Sequence, residues 1–164
     1  IDLVPERRQR AADLGASALD SALAVESIRE TTRGQMVDCV VEAVGSDATM
    51  ELAFDLVGVG GTISVLGVNT SLKFRTPFTS LIRGVTIAAN FFTEVSRYWE
   101  DLIPLIQEKR IRPERFITER VPLSAGVEAY KKFERREAGT LKAVLYPGRG
   151  QGALYKTVVL ITKR

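Results

Sequence analysis

The sequence predicts a doubly wound α/β fold, in which a parallel sheet carries helices on each face. Strand-like and helix-like segments alternate at intervals of about 20–25 residues, the cadence of successive β-α-β units. Residues 36–44 and 62–68 are apolar and rich in β-branched side chains, as in strands covered on both faces. Proline and glycine stand where the helices of such units start and stop.

Taken in order, Ile1, Asp2 and Leu3 read as the end of a strand. Pro5 and Glu6 suit the first turn of a helix, where a missing N–H costs little and an acid meets the positive dipole end. Ala11, Ala12 and Leu14 give that helix an apolar side, and Gly15 is its C-cap. Ala18 and Leu19 form a short strand. Leu23, Val25 and Ile28 belong to a second helix, ended by Arg33 and Gly34. After the strand at 36–44, Asp47 caps a helix in which Met50, Ala53, Phe54 and Val57 recur at helical spacing. Gly58, Gly60 and Gly61 then form a turn into the strand at 62–68. Thr76 and Pro77 open a short helix through Ile82, Gly84 closes it, and residues 85–91 are a further strand. A longer helix carries Tyr98, Leu102, Leu105 and Ile106 on one side. Residues 115–121 are extended, Ser124 caps a helix ending near Gly139, and residues 142–146 are the last clear strand.

At 164 residues the chain has room for one domain. The net charge of +3 comes from scattered pairs such as Arg7-Arg8, Lys131-Lys132 and Arg135-Arg136, set among acids. Such pairs are solvated helix faces, not a nucleic-acid stripe, and no aromatic residues interleave with basic ones in the manner of an RNA-binding sheet. No apolar run approaches the roughly 20 residues of a membrane helix, and nothing resembles a signal peptide. The single cysteine, Cys39, lies in an apolar run, reads as buried, and fits a reducing, cytoplasmic setting. Ile1 opens directly into an element, which reads as a truncated start.

In this architecture ligands bind where the strands end, so those positions carry the functional reading. Asp2 follows the first strand, where a carboxylate can accept from both hydroxyls of an adenosine ribose and repel a 2′-phosphate. It equally serves as a turn residue. Arg7, one turn into the next helix, can lie over the same ribose. Ala43, Val44 and Gly45 end one central strand, and Leu66, Gly67 and Val68 end the next. Glycine at successive strand ends lets backbone approach a flat ring or a phosphate, although helix-entry turns also call for glycine.

Four stretches together carry a resemblance. They are Ile1-Asp2-Leu3-Val4-Pro5-Glu6-Arg7 with Ala-Ala-Asp-Leu-Gly-Ala at 11–16, and Val37-Asp38-Cys39-Val40-Val41-Glu42-Ala43-Val44-Gly45. Gly60-Gly61-Thr62-Ile63-Ser64-Val65-Leu66-Gly67-Val68 is the third, and Phe116 to Leu123 with Gly139 to Leu145 the fourth. In order and spacing the chain resembles the coenzyme-binding domain of zinc-type medium-chain alcohol dehydrogenases. The resemblance implies a Rossmann-type fold over residues 1–147, lacking the family's first strand and glycine-rich loop, with 148–164 an atypical tail. It implies NAD as coenzyme. Asp2 and Arg7 would hold the adenosine ribose, and Ala43, Val44 and Gly45 would lie beside the adenosine half. Leu66, Gly67 and Val68 would flank the nicotinamide, with Val68 and Asn90 bonding its carboxamide through their backbone, and Lys142 would stand near the pyrophosphate. Glu119 occupies a position where the family often has histidine.

Two glycine patterns imitate the missing fingerprint. Gly58-Val59-Gly60-Gly61 has the wrong spacing, and Gly148-Arg149-Gly150-Gln151-Gly152-Ala153 leads into an extended, valine-rich stretch instead of a helix. The tail at 153–161 is long enough to be a strand. The family's zinc needs cysteine, histidine and acidic ligands, and this chain has no histidine and one cysteine. The resemblance therefore implies an oxidoreductase fragment: the whole enzyme transfers hydride between NAD and an alcohol or polyol, and the isolated chain turns nothing over. A homo-oligomer is expected. The alternatives are a zinc-free quinone or enoyl reductase relative, disfavoured by Asp2, and a non-catalytic, self-associating remnant. A methyltransferase is disfavoured by the strand–helix–strand pattern at 116–145.

Overall fold

The computed structural model describes residues 1–69, 76–89, 94–135, 137, 139–147 and the backbone of 159–161. The chain divides into two compact units, Ile1–Thr93 and Glu94–Lys163. Both are α/β with parallel strand pairing, as the alternation of segments predicts.

The first unit runs α1 (Pro5–Asp13), α2 (Ala24–Thr31), β1 (Val37–Glu42), α3 (Asp47–Leu56), β2 (Val57–Val65), α4 (Phe78–Ile82) and β3 (Thr86–Ala89). The three strands form one parallel sheet in the order β1-β2-β3. Pro5 opens α1 and Gly15, at φ +92°, follows its end, as expected. The strands expected at Ile1–Leu3 and Ala18–Leu19 do not form. Asp2 N donates to Leu19 O at 3.2 Å, but one bond is not a ladder, and among the described residues no neighbouring strand extends it.

Helix α3 is the centre of this unit. Its cap is Ser46, not Asp47: Ser46 Oγ accepts from Thr49 N and Thr49 Oγ1 accepts from Ser46 N, each at 3.2 Å, so two orphan donors are satisfied reciprocally. Met50, Ala53 and Phe54 share one helical face and are buried against Val57 and Ile63 of β2, with Val40, Val65, Val85 and Ile87 around them. The face of β1 away from this core is open: Cys39 and Val41 are exposed. The expected two-sided cover of residues 36–44 and burial of Cys39 are thus corrected. Among the described residues, β1 has a partner strand on one side and a helix on one face.

No loop separates α3 from β2. The last carbonyls of the helix therefore lack the usual glycine-centred closing turn. Arg83 supplies the closure from the far end of α4, with Nη1 donating to Val57 O and Nη2 to Phe54 O, both at 2.9 Å. The predicted turn at Gly58, Gly60 and Gly61 is an arch within β2, so that Val37 pairs with Val57 but Cys39 pairs with Thr62. Gly60 takes φ +70° there, a conformation that suits glycine, and its N–H donates to Arg83 O at 2.8 Å.

The second unit runs from a short 3₁₀ turn at Val95–Tyr98 through α5 (Trp99–Gln107), β4 (Glu119–Pro122), α6 (Gly126–Glu134), β5 (Ala143–Tyr146) and β6 (Val159–Ile161). Strands β4 and β5 are parallel, joined through α6, and β6 lies antiparallel on the other side of β5. Part of the tail is thus a strand, and it pairs with β5. Ala129, Ala143 and Leu145 form the core, with Val121 and Phe133 against it. Ser124 does not cap α6. It sits inside a 3₁₀ turn, Leu123–Ala125, that leads into the helix. Residues 113–116, read as partly extended, form another such turn. The apolar side expected on α5 exists but is exposed, with no residue of the helix buried among those described.

Glu119 pairs with Lys132 at 3.1 Å between β4 and α6. The hydrogen bond and charge of that carboxylate raise the Lys132 ammonium above its ordinary 10.5. A raised folded-state value stabilises the fold fully below pH 10.5 and is lost as pH climbs through the folded value. Circular-dichroism melts between pH 9 and 12 will therefore show a decline in Tm at the alkaline end that Lys132→Met lessens. Arg83→Met is expected to lower the stability of the first unit by about 3 kcal/mol, because two charge-assisted bonds to helix-end carbonyls go at once. A urea midpoint at the wild-type value in that variant would show that those carbonyls find other partners.

Candidate functional site

The site starts from a property of parallel strands: consecutive strands end on the same edge of the sheet, so the loops leaving β1 and β2 are neighbours. Here the two loops touch. A side chain at Gly45, which sits at φ +80°, would place its Cβ 2.5 Å from the backbone of Val68. One at Gly67 would overlap Gly45 N and reach within 2.5 Å of Glu42 Oε2. The structure thus brings together Ala43, Val44 and Gly45 with Leu66, Gly67 and Val68, six of the positions singled out from the sequence.

Glu42, the last residue of β1, organises this crossing. It is 3% exposed. Its Oε1 accepts from Val44 N at 2.9 Å, Gly45 N at 2.8 Å and Thr49 Oγ1 at 2.8 Å. Its main-chain oxygen accepts from Leu66 N at 2.7 Å and Gly67 N at 3.0 Å. Oε2 is buried with no hydrogen-bond partner among the described residues. Further along, Asn69 Nδ2 donates to Asp47 Oδ1 at 2.7 Å, tying the second loop to the first turn of α3. With the backbone held from below, the apolar side chains of Val44 and Leu66 are left 57% and 60% exposed.

Asp2 and Arg7 form a second group, before and within α1. Asp2 Oδ1 accepts from Val4 N at 2.8 Å, an Asx turn leading into the helix, while among the described residues Oδ2 faces Arg7 Nη1 at 3.9 Å. Arg8 is the tighter anchor: its Nη1 donates to Asp2 O at 2.7 Å and pairs with Asp20 Oδ2 at 2.9 Å. The Asp2 carboxylate edge nearer Arg7 is therefore open to a ligand on a backbone that Arg8 and Asp20 hold in place. Lys142 belongs to the second unit, one residue before β5, where its backbone joins Thr118 and Glu119. Asn90 lies outside the described residues.

Residues 1–108 match the family model described as zinc-binding dehydrogenase. The chain belongs to that family. A probable zinc-binding alcohol dehydrogenase of Mycobacterium tuberculosis is 38% identical over 148 residues, which are 90% of this chain and 38% of that protein. Sorbitol dehydrogenase of Gallus gallus is 27% identical over 141 residues, 83% of this chain and 39% of that one. Among solved structures, an alcohol dehydrogenase from Thermus sp. ATN1 matches with a TM-score of 0.81 at 33% identity, covering 89% of this chain and 42% of that chain. The chain spans less than half the length of these relatives. The fold is accordingly Rossmann-type α/β, and the relatives are alcohol and polyol dehydrogenases.

A zinc-binding dehydrogenase raises the question of metal and coenzyme. The described residues contain no cluster of three histidine, cysteine, aspartate or glutamate side chains, and the sequence has no histidine and one cysteine. The residues present do not fit a zinc site of the kind the family name denotes. What the strand ends do present is a close crossing of two loops at Gly45 and Gly67, with the apolar side chains of Val44 and Leu66 exposed beside it. Sequence reasoning missed Glu42, Arg8 and Asp20. A charged residue closing an apolar strand three positions before a glycine was the available signal for Glu42.

Gly45→Ala is expected to destabilise the first unit by about 2 kcal/mol or more, because it combines a left-handed φ with a clash against main chain. Denaturant unfolding checks this, and a loss below about 0.5 kcal/mol would mean that the two loops can separate at little cost.

Proposed function

We propose that this chain supplies the coenzyme-binding part of an NAD-dependent oxidoreductase acting on an alcohol or polyol. The single observation behind the reading is the crossing of the two strand-end loops at Gly45 and Gly67, with Val44 and Leu66 exposed beside it. A flat ring laid there meets apolar side chains on its face and main chain at its edge, the mixture that small-molecule sites use. In this reading Ala43, Val44 and Gly45 take the adenosine side, and Leu66, Gly67 and Val68 take the nicotinamide side. Asp2 accepts from the ribose hydroxyls and Arg7 covers that ribose. Lys142 and Asn90 are assigned to the pyrophosphate and the carboxamide on the family resemblance alone, and residues 1–147 are taken as the coenzyme-binding domain with 148–164 as its tail.

A bound nicotinamide would supply hydride-accepting chemistry, with Leu66, Gly67 and Val68 the residues that would hold it. What this chain contributes is placement: backbone fixed by Glu42, an apolar wall from Val44 and Leu66, and a charge at Asp2 that selects against a 2′-phosphate. No proton-transfer or metal role falls to a residue described here. The purified chain is therefore expected to show no alcohol-dependent NADH formation, and measurable turnover would contradict this assignment. The outer edge of β3 is unpaired among the described residues, which supports self-association through it. A cytoplasmic setting is supported by the lone cysteine.

Fluorescence titration with NADH and NADPH tests the reading. The wild type is expected to prefer NADH, and Asp2→Ala to narrow that preference about tenfold, equivalent to about 1.4 kcal/mol of lost repulsion and ribose bonding. Absence of NADH binding, or a preference for NADPH that Asp2→Ala leaves untouched, would overturn it.

A further inference from the structure

Glu42 lies in the core of a coenzyme-type fold yet carries a charge-bearing side chain that is 3% exposed. Burying a carboxylate is costly, and an apolar residue at the same strand position would serve stability better unless the group has work of its own. Its bonds say what the work is. Oε1 gathers Val44 N, Gly45 N and the Thr49 hydroxyl, while the main-chain oxygen of the same residue gathers Leu66 N and Gly67 N. Four backbone donors from two loops converge on one amino acid. The other carboxylate oxygen, Oε2, has no partner among the described residues and lies where a Cβ on Gly67 would come within 2.5 Å of it. The side chain of Glu42 thus holds the loop after β1 while the main chain of the same residue holds the loop after β2.

We propose that Glu42 is a positioning residue that sets the span between the adenosine-side and nicotinamide-side loops, so that both halves of a dinucleotide engage at once. The proposal rests on the coenzyme reading above. Its physical content is that tethered halves bind far better together than singly only when the receiving sites are the right distance apart. A shift of the order of 1 Å in such a placement costs up to about a hundredfold. Changing the span therefore weakens a ligand that bridges the loops and leaves a ligand that uses one loop unaffected.

The test uses the native-length protein, with NADH and adenosine 5′-monophosphate as probes. Glu42→Asp, one methylene shorter, is expected to raise the Kd for NADH by about tenfold or more while the Kd for the mononucleotide stays within about twofold. Glu42→Gln retains the reach and an acceptor oxygen, and is expected to stay within about threefold of wild type for both probes. A side chain that only stabilises the fold would weaken both probes together. Equal losses for the two, or wild-type NADH affinity in Glu42→Asp, overturn the proposal. If Glu42→Asp does not fold, Thr49→Val removes one donor from Oε1 and is expected to weaken NADH about threefold without touching the mononucleotide; unchanged NADH affinity there overturns it as well. A wild-type protein that binds neither probe removes the coenzyme reading itself, and a wild type that binds both with a uniform loss in the variants removes only the role of Glu42.

Discussion

The first unit is organised around a carboxyl group in a place that favours hydrocarbon. A buried carboxylate persists only when surrounded by donors, and the donors nearest to the end of β1 are the backbone N–H groups of the next loop, the hydroxyl on the first turn of α3 and the strand-end loop alongside. The bonds to Glu42 Oε1 and to its main-chain oxygen go with the path of the backbone through Val44 and Gly45, the threonine at position 49 and the way the chain leaves β2. Glycine at 45 and 67 follows from the same constraint, since loops drawn toward one residue come too close for side chains. The apolar residues between them are turned outward as a consequence.

This arrangement separates two tasks that are often merged. The stability of the unit lies in the α3 face, where Phe54, Val57 and Ile63 are almost wholly buried, and at this depth an aromatic or branched side chain contributes on the order of 1.5–3 kcal/mol. The proposed recognition site is separate from it, at the strand-end loops, whose exposed Val44 and Leu66 add little to the core. Ser46 and Thr49 bridge the tasks, because the box that starts the helix also supplies a hydroxyl to the carboxylate below the loops. A family resemblance and a set of similar structures give this geometry its context.

Much of this was legible from local signals. Pro5, Gly15, Gly34, Pro77 and Gly84 mark element boundaries because their backbone preferences act without help from distant residues. The strand ends at 43–45 and 66–68 were legible because parallel pairing makes such positions converge. What failed was non-local. Ile1–Leu3 and Ala18–Leu19 have strand composition, but a strand is defined by its neighbour, and only the Asp2–Leu19 bond joins them. Cys39 looks buried in a run of valines, yet burial depends on a second layer that does not cover that face among the described residues. The cap moved from Asp47 to Ser46 because a reciprocal bond with Thr49 outweighs a favourable residue one place later. Arg8 reads as one of a pair of solvated charges, and Glu42 left only the signal of a charge closing an apolar strand, since most of their partners are main-chain atoms that the sequence pattern does not specify.

The Arg83 side chain has a bearing on how the molecule is assembled. It closes the end of α3 and, through its own carbonyl, the arch at Gly60, although it follows both by more than twenty positions in the chain. A helix whose terminal turn waits for a distant arginine is not finished when its own residues have been synthesised. The end of α3, the arch and the entry to β3 therefore share one closing residue, and none of the three has its full set of partners until the α4 segment is docked.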